Sequence, residues 1–414
     1  MIEHSGEART FERHELTAWR RYALSSLFAI ALFGYPIVGG LVSILGVESR
    51  TLTVPFRIFV FSLSLLLFFR TGPFRFQWIP TTVFCFWGLY LLRLINDAFF
   101  AKLEGADFAL QLFVLASVAP VLALWRNNWF DPLYLGWCSF VVACIGVIIG
   151  LFAATGVDNT LTGDTGRLTS EALNPVTLGL TAATAILCAA VLWRSLPKVL
   201  WLPTAASLVV MLYALTRAGS KGPAAALVVC LAVWIVARTV SRGLVATVRV
   251  AATLLVLGIA AIYWLPLLTG SQEFQDLPLV ERTQRIFEDK STTDRENMID
   301  DSIAQIQDSP WIGSAYVELN SGFYPHNVVI EAGLAVGVPV ALIFFVVLVA
   351  CLYRAFLLLT FKNKNAVFGL LFIQALISSL LSNSLFGAVT LWTLLIIIAA
   401  VATQKPSEFR GRQP

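Results

Sequence analysis

Charge is scarce in this chain. Only 13% of its 414 residues are Asp, Glu, Lys or Arg, about half the share of an average soluble domain. The long apolar runs are nearly free of Asp and Glu. Histidine is almost missing, with His4, His14 and His326 the only three. The six cysteines (Cys85, Cys138, Cys144, Cys188, Cys230 and Cys351) all lie within apolar runs, with no CxxC or Cys/His spacing. That argues against a disulfide framework or a zinc module and leaves them as small packing residues. No Walker-type phosphate loop, GxGxxG unit, GxSxG elbow or HExxH pair occurs, so no soluble catalytic class is indicated. The outer face offers one His and no acidic cluster at ligand spacing, so neither a metal nor any other cofactor is expected. No internal repeat points to an inverted-repeat transporter. The first 21 residues hold Glu3, Glu7, Glu12 and Glu15, too acidic for a cleaved signal peptide. The first span is therefore expected to act as an uncleaved anchor. Membrane lipid is the expected surrounding, and no nucleic-acid partner is expected.

Apolar residues make up 58% of the chain. They fall in continuous runs of about 16 to 25 residues, the length that carries a helix across a hydrocarbon core of ~30 Å. The runs do not alternate, so helices rather than a barrel must satisfy the backbone in lipid. The expectation is an all-α polytopic membrane protein of about twelve spans. They lie near 22–46, 53–69, 78–96, 106–125, 133–154, 176–193, 198–215, 223–238, 247–269, 328–360, 366–384 and 387–403. The tenth is long enough to be tilted, or broken near Gly337-Val338-Pro339, where proline removes a backbone donor. The chain then divides into a tail (1–21), nine spans (22–269), an outer loop (270–326), three spans (327–403) and a second tail (404–414).

With both termini cytoplasmic, 18 of the 29 Lys and Arg residues fall inside, as the positive-inside rule requires. Six of the remaining eleven cluster at 217–221 and 282–295 on the outer face. Cations at membrane depth are costly and usually face a cavity or a partner. In the outer loop, residues 277–289 and 295–307 each place apolar residues on one helical face, with Asp294 a candidate N-cap for the second. Two short amphipathic helices are expected there, lying on the membrane domain. A second outer loop, 155–175, reads as a solvated connector.

His326 stands where the outer loop runs into the tenth span. Arg217, Lys221, Arg282, Arg285 and Arg295 fall on the same face. One near-neutral base among fixed cations suits chemistry on a lipid-linked phosphate. Fixed cations can offset phosphate charge, and a positioned histidine can serve as a general base. Nearby cations would keep that histidine neutral. Asn327 either orients His326 or caps the tenth span. Tyr213, Trp264, Trp311, Tyr316 and Tyr324 lie near the same interface and fit an aromatic belt.

Pro325-His326-Asn327, followed by Gly337-Val338-Pro339, resembles the outer-loop signature of the O-antigen ligases. Asp308-Ser309-Pro310-Trp311-Ile312-Gly313 resembles the family's Pro-x-x-Gly segment, and Thr293-Asp294-Arg295-Glu296 the arginine that opens the loop helix. Leu215 to Pro223 resembles the Ser/Thr-Arg-Gly element before a span. Two registers fit there, Thr216-Arg217 and Ser220-Lys221-Gly222. Arg217 is favoured because a guanidinium can clamp phosphate through a bidentate fork.

The resemblance implies a metal-independent, GT-C-like membrane glycosyltransferase with a periplasmic helical loop. It would sit in the bacterial inner membrane with its active site on the periplasmic face. It would transfer O-antigen from undecaprenyl diphosphate to a sugar hydroxyl of lipid A–core, with inversion. An O-antigen polymerase and a protein O-oligosaccharyltransferase of the same superfamily remain alternatives. A lipid-linked glycan transporter is the rival of another class.

Overall fold

The computed structural model describes residues 22–69, 77–126, 131–154, 174–240, 243, 245–246, 248–249, 290–360 and 365–401. Several expectations lie outside them: the ninth span, the amphipathic segment 277–289 with Arg282 and Arg285, and most of the 155–175 loop.

The chain is an all-α polytopic membrane protein. Among the described residues, eight helices are long and apolar enough to cross a membrane, or nine if one bent pair is counted as a single span. That pair is α1 (Tyr22–Phe33) and α2 (Tyr35–Leu45), which meet at 58°. Next come α3 (Ser49–Phe69), α4 (Trp78–Phe100), α5 (Ala106–Trp125) and α6 (Pro132–Ala153). Helices α7 (Pro175–Leu192), α8 (Trp201–Ala218) and α9 (Lys221–Val240) complete the first part. After the loop helix α10 (Lys290–Asp308) come α11 (Val328–Val336), α12 (Val338–Thr360), α13 (Ala366–Leu381) and α14 (Val389–Val401).

The two short apolar helices at the end of the chain, α13 and α14, are among the most enclosed. Every residue of α13 from Ala366 to Ala375 is buried, against Thr53, Val60 and Ser64 alone in α3. A helix hydrophobic all round belongs inside a bundle, and one buried on a narrow stripe faces lipid. α14 has 13 residues, about 20 Å at 1.5 Å per residue, too short to cross a membrane upright. Its place is fixed by aromatic packing. Phe86 of α4 stacks on Phe344 of α12 at 4.6 Å, and Trp392 of α14 meets Trp87 edge-on at 5.4 Å. Such pairs add about 0.5–1.5 kcal/mol each beyond the area they bury.

The predicted tenth span is divided at Gly337, which sits at φ +83° between α11 and α12. Backbone contact with the loop explains the break. The Val338 N–H donates to the Pro310 carbonyl at 2.8 Å, and the Ser314 N–H to the Leu334 carbonyl at 2.8 Å. A Cβ on Gly313 would strike the Leu334 carbonyl, and one on Gly337 would strike the Trp311 carbonyl. Both positions therefore require glycine twice over, once for space and once for positive φ. Arg93 of α4 locks this junction. Its Nε donates to the Ala335 carbonyl at 2.8 Å and its Nη1 to Ser314 at 3.0 Å. Its Nη2 reaches the carbonyls of Ile312 and Gly313 at 3.0 and 3.1 Å. These bonds pair carbonyls at the end of α11 and in the loop, and the Gly313 carbonyl also accepts the Ser309 hydroxyl at 2.9 Å.

Helix α10 begins at Lys290. Asp294 therefore lies inside it and does not cap it, because the preceding residues already continue the helix.

Candidate functional site

The site assembles at one end of the bundle, where α8 gives way to α9, the loop enters α11, and α13 turns into α14. At the first of these turns, Arg217 occupies the last turn of α8 and Gly219 caps it in the left-handed region at φ +61°. Two residues later Lys221 opens α9. A helix N-terminus already favours anions through its free N–H groups and dipole, so a lysine there makes the spot more attractive to anions. The elbow is packed against α7, where a Cβ on Gly179 would sit 3.2 Å from Pro223. Gly222 faces the Ser382 hydroxyl, 3.5 Å from where a Cβ would stand.

Ser382 connects this elbow to His326, because its backbone also hydrogen-bonds the imidazole. His326 is held at φ +54°, in the left-handed region. For a residue other than glycine that conformation costs about 1–3 kcal/mol, and such strain gathers at functional sites. Tyr324 packs edge-on against the imidazole at 4.6 Å, and Phe386 packs on Tyr324 at 5.7 Å. Burial pushes the His326 pKa below its ordinary 6.5, and the charge of Arg295 pushes it further the same way. The Ser382 hydrogen bond works in the opposite direction and is outweighed. The imidazole is thus neutral at pH 7 and able to accept a proton.

Two buried nitrogens here have no hydrogen-bond partner among the described residues, Nδ1 of His326 and Nε of Arg217. Buried polar groups are nearly always paired, so each exception calls for a physical reason. A site shaped for a polar ligand supplies one.

Asn327 accepts the N–H groups of Val329 and Ile330 at 3.0 and 3.3 Å. Of the two roles open to it in the sequence, it performs the cap, and so fixes where α11 starts beside His326.

Several organising residues were missed in the sequence, and Tyr316, read there as part of an aromatic belt, is buried and hydrogen-bonded instead. Glu331, fully buried within the predicted tenth span, accepts the Tyr90 hydroxyl at 3.1 Å and the Leu385 N–H at 2.8 Å. Trp392 donates its indole N–H to the Leu385 carbonyl at 2.9 Å. Together they pin the 382–388 turn. Asp97 accepts the Tyr316 N–H at 2.9 Å, and the Tyr316 hydroxyl donates to the Glu104 carbonyl at 2.6 Å. Burial, and then the charge of Asp97, push the Tyr316 hydroxyl up to about 12, so it is a fixed donor rather than an acid. Glu318 accepts the N–H groups of Asn320 and Ser321. Burial alone would raise its pKa, but these bonds outweigh it and hold the carboxylate below its usual range. The resulting turn leads into Tyr324.

The structure thus brings His326, Arg295 and the Lys221-Gly222 elbow to one place, with Arg217 one turn before that elbow. Residues 206–345 match a family model described as O-antigen ligase. That stretch contains His326, Asn327 and all five predicted cations. No curated protein matches the chain.

Proposed function

Starting from a chain that carries an O-antigen ligase family domain over residues 206–345, we propose that it transfers O-antigen from undecaprenyl diphosphate to lipid A–core. The observation that carries this reading is His326. It is strained, half-buried, kept neutral by burial and by Arg295, and has one ring nitrogen unpaired among the described residues.

In the proposed reaction His326 takes the proton from the acceptor hydroxyl. The freed oxygen attacks the anomeric carbon from the face opposite the diphosphate. The sugar–oxygen–phosphorus link breaks on its sugar side, and the bond electrons leave with the lipid diphosphate. A single displacement of this kind inverts the anomeric centre. Arg217, Arg295 and Lys221 offset the charge that develops on the leaving group, and Arg282 and Arg285 are proposed to join them. Preorganised charge of this sort acts most strongly where water is excluded. No metal is assigned a part. The active site would face the periplasm from the inner membrane.

Acceptor choice is the direct test. Purified protein is given undecaprenyl-diphosphate-linked glycan together with lipid A–core, and the products are separated by size and lipid. The reading predicts glycan on lipid A–core. Lengthening of the lipid-linked glycan instead would make the chain a polymerase. Movement of the donor across vesicles with no new glycosidic bond would favour a transporter. The buried acids do not support that rival, because Glu331 and Asp97 are both engaged in hydrogen bonds to backbone N–H groups. A coupling acid would need freedom to change charge.

A further inference from the structure

A cavity of about 300 Å³ lies at the same end of the bundle, bordered by α1, α2, α3, α5, α7, α13, α14 and the 382–388 turn. Its size is at the lower end of the range for small-ligand sites. Most of its wall is apolar, with Leu32, Phe56, Val60, Leu112, Leu180 and Val389 among the lining residues. One wall belongs to α3, the helix least buried in the bundle, with Ile58, Phe59, Leu65 and Leu66 turned outward. The cavity therefore adjoins the lipid-facing flank.

Arg57 projects into this cavity from α3. Its guanidinium lies 5.7 Å from the ring centroids of both Tyr35 and Phe108. Among the described residues that line the space, none is acidic. The neighbouring polar groups are Asn383, Thr177 and Thr390. By contrast, Gln374 and Thr184 are already bonded to each other and to the Leu180 carbonyl. A cation at membrane depth normally has a counter-charge. Aromatic faces offset part of the cost of burying it, but they leave the N–H donors of the fork unused.

We propose that this cavity is a second anion site, which holds the phosphate of an amphiphile on Arg57 while its hydrocarbon lies along the apolar wall. None of Arg217, Lys221, Arg295 and His326 lines it. Asn383 and Gly387 line it, whereas Ser382 of the same turn faces His326. A bound headgroup would touch the turn that holds the base. A free phosphate ion would satisfy the guanidinium but leave the apolar wall bare, so a lipid phosphate is the better fit. The proposal does not depend on the transfer reaction.

Calorimetric titration of the full chain in non-ionic detergent tests it, with dihexanoyl phosphatidic acid, inorganic phosphate and dihexanoylglycerol as three separate probes. The phosphatidic acid is expected to bind, and the neutral diacylglycerol and inorganic phosphate to bind much more weakly. Arg57→Gln is expected to weaken phosphatidic acid by about tenfold or more, the scale of one lost charge-assisted hydrogen bond. Arg57→Lys keeps the charge and serves as the control for folding, with binding partly retained. Equal binding by Arg57→Gln and the unaltered chain would overturn the proposal. Inorganic phosphate binding as well as the amphiphile would overturn the lipid assignment.

Discussion

The carboxyl of Glu331 accepts the backbone N–H of Leu385 at 2.8 Å, joining α11 to a turn 54 residues further along the chain. This bond lies behind the site. It fixes the turn that offers Ser382 to His326 and Phe386 to Tyr324. Glu331→Ala leaves the Leu385 N–H and the Tyr90 hydroxyl without their acceptor. Each buried group so exposed costs about 1–3 kcal/mol. Thermal unfolding should show the loss, with Glu331→Gln milder because one acceptor oxygen remains. An unchanged melting temperature in both variants would mean that the turn is held by other contacts.

The glycine junction makes a second prediction. Gly313→Ala and Gly337→Ala each push a methyl group into a facing backbone carbonyl at a positive φ. Neither carbonyl can move freely, since Arg93 and the loop hydrogen bonds hold this stretch. Overpacking of this kind costs about 1–3 kcal/mol. The yield of folded, detergent-stable protein should fall for both. Wild-type yield would show that the loop separates from α11 at no cost.

The sequence showed why the chain is a helical membrane protein, because continuous apolar runs admit no other backbone solution. It also singled out His326, since one histidine beside a cluster of outer cations is conspicuous when charge is scarce. Arg93 and Glu331 were not legible. Arg93 is one of the five outer cations outside the two clusters, and its partners Ala335 and Ser314 lie 242 and 221 residues away. Glu331 lay unnoticed in an apolar run, because its acceptor role appears only once α4 and the 382–388 turn close around it. The Arg57 cavity was hidden for the same reason, being formed by helices from both ends of the sequence. Local pattern reports burial and period, whereas these features are tertiary pairings.

Acid sensitivity supplies a third prediction. A general base works only when deprotonated, so transfer should fall as pH drops through the His326 pKa. Burial and Arg295 place that limb below 6.5. Arg295→Gln removes a cause that lowers the pKa, so the limb should move to higher pH. Arg295→Lys keeps the charge and should leave the limb near its original place. A limb that stays fixed in Arg295→Gln would separate Arg295 from the base.

Arg217 and charge alone can also be told apart. Among the described residues its buried Nε has no partner, which suits a forked grip on phosphate. Arg217→Ala should lower the turnover rate at saturating donor by about 10²–10³-fold, as removal of one preorganised donor does. Arg217→Lys should recover only part of this. Full recovery with lysine would show that charge without fork geometry suffices.

The most direct measurement is the single-turnover rate of glycan transfer by purified His326→Ala, with EDTA present and donor binding measured in parallel. The account predicts a rate about 10²–10⁴-fold below that of the unaltered chain, the cost of losing a positioned general base, with donor still bound. Transfer at the unaltered rate in His326→Ala would contradict it.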